Sequence, residues 1–272
     1  MEYRPSQFFT SKKSALVIAH PGHELRVLRW LELARPTVFV LTDGSGRSGT
    51  SRLESTITIL ETAQAQRGII FGLLTDLVLY HKILEREFDF FIDLAEKLAE
   101  HLYQHETEYV AGDAIEGYNP AHDTCRLVID AATRIVRYRH KVSLRNFDFV
   151  LSGPPHACPE TAREKAIWIH LDDQQFERKL NFALRYPELG AEVESALAAN
   201  GKDAFRIECL RPVEHDIHCY HFQKPPFYER YGEKQVAAGL YDRVIRYREH
   251  MLPVAQALNR HVERVAKYEC VF

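Results

Sequence analysis

Apolar positions along the 272-residue chain follow two rhythms. Short continuous runs rich in β-branched residues, at 15–19 (ALVIA), 37–42, 68–71, 108–111 and 147–152, have the length of buried strands. Between them the apolar residues recur at helical spacing, most clearly Phe88, Phe91, Leu94, Ala95, Leu98 and Leu102. Ser51-x-x-Glu54 and Thr161-x-x-Glu164 have the form of capping boxes opening two further helices. Strands alternating with helices predict an α/β fold, a Rossmann-like, mostly parallel sheet with helices on both faces. Beyond 152 the pattern turns helical, at 160–185, 188–200 and 233–260, with one strand at 204–210. Without a low-complexity linker or a repeat, the expectation is a core over 1–152 and a C-terminal α-rich extension over 153–272, packed on the same domain.

Composition narrows the partners. Lys and Arg number 35 against 38 Asp and Glu, a formal net charge of −3, so no basic field recommends nucleic acid or an anionic membrane. No apolar run reaches membrane-spanning length, and the opening MEYRPSQFFTSKK lacks the apolar stretch of a signal peptide. The five cysteines (Cys125, Cys158, Cys209, Cys219, Cys270) are odd in number and never in a C-x-x-C pair, which predicts reduced thiols and a cytoplasmic location.

Chemistry concentrates where strands give way to helices. The first run stops at His20-Pro21-Gly22-His23, two imidazoles at the edge of the sheet where ligands bind in open α/β folds. Either could be an ordinary turn residue; Glu24 beside them could act as an outer acceptor. The stretch GDAIEGYNPAHDTC, following the run at 108–111, collects Asp113, Glu116, Tyr118, Asn119, His122 and Asp123. Its plain reading is a polar loop in which Asp123 caps a helix starting at Thr124. Its functional reading is that His122 joins His20 and His23 as a three-ligand metal site, with one position open, as in catalytic zinc centres. Gly44-x-Gly46-x-x-Gly49 formally matches a dinucleotide fingerprint and leaves a nucleotide- or nucleotide-sugar-binding transferase as an alternative. His215, His218 and His221 read as a surface loop, whereas His156 stands at the end of the fifth run, on the same predicted edge as His20.

Two of these stretches together resemble a family. AHPGHE (19–24) is similar to the A-H-P-D-D-E motif of the LmbE/PIG-L superfamily, metal-dependent N-deacetylases of N-acetylglucosamine conjugates, and NPAH (119–122) to its later H-P-D-H motif. TDGSGRSGTSRLE and FGLLTD resemble further segments, so the likeness runs over about 14–135. It implies His20, His23 and His122 as ligands of Zn²⁺ or another divalent transition metal, iron included, and Asp76 as a further pocket aspartate. Where the family has its general-base aspartate this chain has Gly22, and where it has an assisting histidine, Asn119. The middle ligand is His23 instead of an aspartate; three neutral imidazoles leave the full charge on the ion and partly offset the missing base.

The expected function is therefore a metal-dependent N-deacetylase or related amide hydrolase. Its substrate would be an N-acylated amino sugar conjugate, with no nucleic-acid and no membrane partner. Asp123, Glu116, Tyr118 and His156 are the candidates to protonate the leaving amine, and Asp43 to Arg47, Asp76, Tyr118 and His156 border the expected pocket. Arg47 and Arg52 would suit an anionic or hydroxyl-rich group. A divergent member that binds a metal or glycan without hydrolysis is the second reading.

Overall fold

The computed structural model describes residues 12–46, 49–213 and 222–268. Arg47, His215, His218, His221, Cys219 and Cys270 lie outside the described residues. Seven strands form the sheet: β1 (Ser14–Ile18), β2 (Thr37–Thr42), β3 (Gln66–Leu74), β4 (Tyr109–Asp113), β5 (Arg145–Phe149), β6 (Ile167–His170) and β7 (Ile207–Pro212). Their order across the sheet is β3-β2-β1-β4-β5-β7-β6. The first five are parallel; β7 runs antiparallel to both β5 and β6. Chain order therefore reverses between β1 and β4, which opens a crevice beyond their C-terminal ends.

Nine α-helices are described: α1 (Leu28–Ala34), α2 (Leu53–Ala63), α3 (Asp76–Leu84), α4 (Phe88–Gln104), α5 (Pro120–His140), α6 (Asp173–Leu184), α7 (Gly190–Asn200), α8 (Phe227–Ala237) and α9 (Leu252–Tyr268). The strands' two-residue period sorts the core. On β1, Ala15 and Val17 belong to the apolar cluster that includes α4, α5 and α9, whereas Leu16 and Ile18 belong to the one that includes α1, α2 and α6. Both faces of the central strands are buried, which is why they read as continuous apolar runs. Gly112 on β4 keeps α5 close to the sheet, since a Cβ there would lie 2.4 Å from Ile129 Cδ1 and 2.5 Å from the Val17 carbonyl oxygen.

Several local expectations are corrected. The helix expected from 160 is a short 3-10 turn (Glu160–Ala162) followed by β6, and Thr161-x-x-Glu164 caps nothing. The capping box of that region lies instead at Asp172 and Gln175, opening α6. Helix α2 has Arg52 at its N-cap with no side-chain cap; Ser51 Oγ accepts from Leu53 N at 3.3 Å. The single helix expected over 233–260 is two, α8 and α9, with a π-helical turn (Tyr247–Met251) before α9. Strand β3 is longer than expected because it is an edge strand, where exposed residues such as Ile69 and Leu73 are tolerated.

Candidate functional site

Three histidines meet at the crevice. His20 follows β1, His23 begins the 3-10 turn after Gly22, and His122 lies in the first turn of α5. Their ring centroids are 5.3 Å (His20–His23), 5.1 Å (His20–His122) and 4.6 Å (His23–His122) apart, each pair edge-on. The helix that carries His122 starts at Asn119, whose side chain accepts from Ala121 N, with Pro120 next.

Hydrogen bonds assign the tautomers. Thr42 Oγ1 donates to the Ala19 carbonyl at 3.0 Å, so its contact of 2.8 Å with His20 Nδ1 makes that nitrogen the donor. His20 Nε2 is then a bare acceptor, buried and without a hydrogen-bond partner among the described residues. His23 Nδ1 lies 3.0 Å from both oxygens of Asp113, whose Oδ2 also accepts Ala19 N at 2.8 Å. That pairing leaves His23 Nε2 as the acceptor. His122 Nδ1 is a second buried, unpartnered nitrogen. Burial, joined by the charge of neighbouring histidines, holds the pKa of His23 and His122 well below the ordinary imidazole value.

Carboxylates around the trio divide by environment. Asp76 Oδ1 is 2.9 Å from His20 Nδ1, beside the contact that this nitrogen makes with Thr42, while Oδ2 accepts Gly46 N. Burial opposes the charge of Asp76, but the imidazole of His20, Thr42 and the Gly46 N–H outweigh it and hold its pKa far below the carboxylate range. Asp113 is pushed up to about 7 by burial, against the Ala19 N–H. Glu24 is also raised by burial to about 7, and accepts from Gly22 N and Thr56 Oγ1; it serves the turn, not a histidine ring.

His20, His23, His122, Asp76, Tyr118 and Asn119 line one cavity of about 420 Å³. Gly44, Gly46 and Arg52 of the expected border line it too, whereas Asp123, Glu116, Asp43 and His156 do not. Asp123 is buried and turned back, accepting Glu116 N and Gly117 N, and Asn119 rather than Asp123 caps α5. Glu116 is held by Leu151 N and Ser152 N. Asp43 accepts from Ser45 N and Oγ within its own turn. His156 is exposed, its Nδ1 3.5 Å from the Ala204 carbonyl. The glycine-rich loop spends its amides internally: Gly44 N on Thr42, Ser45 N on Asp43 and Gly46 N on Asp76. Those three N–H groups are not free to cradle a phosphate.

Sequence reasoning collected Asp113 without giving it a role and missed Thr42 and Tyr80 as site residues. Tyr80 lines the cavity and donates to Asn119 Oδ1 at 3.1 Å. The position of Asp113 and Thr42 at strand ends flanking β1 was the available signal.

The trio has the ring spacing of a ligand set. Imidazoles bound at about 2.0–2.1 Å around a tetrahedral ion have ring centres about 5 Å apart, and the observed 4.6–5.3 Å matches. Two orphaned buried nitrogens and a carboxylate behind His23 fit it too. The donor atoms themselves have not converged: among the described residues no group of three or more His, Cys, Asp or Glu is arranged to hold a metal as it stands. Ring spacing is the weightier observation, because side-chain torsions re-aim a nitrogen whereas the backbone sets where the rings meet.

No family model matches the chain, and no curated protein matches it. Among solved structures, a triple mutant of a deacetylase of the teicoplanin biosynthetic pathway (Orf2*T) is 13% identical with a TM-score of 0.47, covering 76% of this chain and 100% of its own. A zinc-inhibited form of teicoplanin deacetylase Orf2 is 12% identical with a TM-score of 0.48 over the same shares, 76% and 100%. The A40926 pseudoaglycone deacetylase Dbv21 is 16% identical with a TM-score of 0.46, covering 76% of this chain and 98% of its own.

Proposed function

We propose that this protein is a metal-dependent amide hydrolase, an N-deacetylase of sugar-like conjugates, whose metal is held by His20, His23 and His122. The observation that carries the reading is the meeting of three imidazoles at the reversal point of the sheet, two of them with orphaned buried nitrogens. The resemblance of AHPGHE and NPAH to the LmbE/PIG-L motifs supports the same set. A divalent metal there would supply Lewis-acid polarisation of an acyl carbonyl.

The chain's own residues have separable tasks. Asp113 fixes the ring of His23 through Nδ1, and Thr42 fixes His20 in the same way. Asp76, held ionised, adds a negative charge beside His20 that favours a cation. Tyr80 and Asn119 form the polar wall opposite, with Tyr80 donating to Asn119. Measuring the metal content of purified protein beside an acetate-release screen tests the reading. Stoichiometric metal that falls on alanine substitution of any one histidine, together with acetate release, supports it; metal-free protein after loading with excess zinc refutes it.

One observation favours the second reading, binding without turnover. Gly22, at the position of the family's base, has φ +101° and lies under the Leu189 side chain, so no carboxylate is held there. Stoichiometric metal without release of any acyl group identifies that case.

A further inference from the structure

The geometry points to an aliphatic pouch beside the three histidines that takes a hydrocarbon chain carried by the substrate, longer than an acetyl group. Helix α7 presents Leu189, which immediately precedes it, Val193, Ala196 and Leu197 at spacings of four and three to four residues, one stripe of a helix. An amphipathic helix ordinarily buries such a stripe in the core. Here none of the helix's residues is fully buried: Leu189, Ala196 and Leu197 pack in part against the apolar cluster that includes α1, α2 and α6, and the stripe also lines the cavity that holds the histidines. Leu180 and Phe205 complete the wall.

The cations in this wall reinforce its apolar character. Arg26 donates through Nη1 to the Gly153 carbonyl at 3.2 Å and through Nη2 to the Leu151 carbonyl. Lys179 Nζ is 2.7 Å from Glu208 Oε1 and donates to the Arg26 carbonyl at 2.8 Å. Both heads are thus tethered to protein oxygens, leaving their methylene stems as wall material. Arg52 and Glu192 face each other at 3.7 Å on the same cavity's lining. The occupant is part of the substrate because one continuous cavity, about 420 Å³, contains both the stripe and the histidines. That volume lies within the roughly 300–1,000 Å³ of ligand sites and far exceeds what an acetyl group fills.

The inference rests on the proposed hydrolase reading for its substrate, and its test separates the two. Binding to the zinc-loaded protein is measured by calorimetry for two series: N-acyl glucosamines from acetyl to decanoyl, and alkyl glucosides from butyl to decyl. Burial of a chain predicts affinity rising about fourfold per added methylene, the factor given by about 0.8 kcal/mol per buried CH₂. A rise in the first series assigns the pouch to the acyl group, and a rise in the second to an alkyl aglycone. A flat profile in both overturns the inference. Ala196→Trp, which fills the pouch, should flatten the slope; Val193→Phe serves if the first variant loses its helical circular dichroism. A slope unchanged in a folded variant also overturns it. Amide hydrolysis is scored separately: chain-dependent binding without turnover refutes the hydrolase reading and leaves the pouch, whereas turnover with flat chain dependence does the reverse.

Discussion

Leu189 lies over Gly22. A Cβ built on Gly22 would sit 2.2 Å from Leu189 Cδ1, and the backbone there has φ +101°, outside the range comfortable for side chains. A residue near the start of α7 thus occupies the space above the turn between His20 and His23. The backbone is what calls for glycine at position 22; an aspartate also needs the tip of Leu189, which faces the cavity, to turn aside.

Gly22→Asp is therefore expected to destabilise the protein. The strained backbone costs about 1–3 kcal/mol, whereas the tip of Leu189 can turn into the cavity it lines at little further cost. Urea unfolding of Gly22→Asp and of Gly22→Asp/Leu189→Ala checks this. The double variant should recover little, because the backbone part remains; equal midpoints for wild type and Gly22→Asp would contradict the backbone argument.

Removal of Asp113 should act through His23. Asp113→Asn weakens the acceptor behind Nδ1 and should lower zinc affinity by about 10–100-fold, the usual effect of losing an outer-shell carboxylate. Competition with a chromogenic chelator measures it. His23→Ala should lose more affinity, and His101→Ala, on α4 and stacked on His105, should lose none.

Glu96 gives a pH signature away from the site. Arg139 grips it at 2.6 and 2.8 Å, and His261 Nε2 lies 2.6 Å from Oε1, so α4, α5 and α9 meet at one carboxylate. The hydrogen bond from Arg139 is the main cause of its lowered pKa; burial opposes it and His261 assists. A depressed folded pKa means stability present above the unfolded value of 4.5 and lost as pH falls through the folded value. Unfolding midpoints should drop below about pH 4.5 in wild type, and Glu96→Gln should show a smaller share of that drop.

Glu208 should be costly to remove. Its buried carboxylate accepts Arg29 N and Trp30 N at 2.9 Å each and holds Lys179 at 2.7 Å, tying β7 and α6 to the start of α1. Glu208→Leu strands a buried ammonium and two amides and should cost about 3–5 kcal/mol. Adding Lys179→Met should restore part of it, because the stranded charge goes. A thermodynamic cycle over the two positions reads the coupling.

Much of this architecture was legible in the chain. The apolar runs at β1, β2, β4 and β5 mark strands because both faces are buried, and burial on both faces leaves no polar alternation to obscure them. The histidines could be placed at one sheet edge because a motif directly after a strand inherits that strand's end. Residues far apart in sequence were less readable. Strand β6 is short and pairs only with β7, so nothing local distinguishes it from the helix expected over 160–185. Asp123 has the form of a helix cap, yet the loop at Glu116 and Gly117 claims its carboxylate and Asn119 caps instead.

By itself, then, the sequence determined which central segments are strands and that His20, His23 and His122 follow two of them at one edge of the sheet, because burial period and turn chemistry act within a few residues. Only the tertiary structure decided that the three rings meet, that Thr42 and Asp113 set their tautomers, that Asp123 and Glu116 turn away, and that Leu189 closes over Gly22. Those outcomes depend on strand order and on contacts between residues from about twenty to more than 160 positions apart, and the free energy that selects them comes from burial and hydrogen bonding of the whole fold.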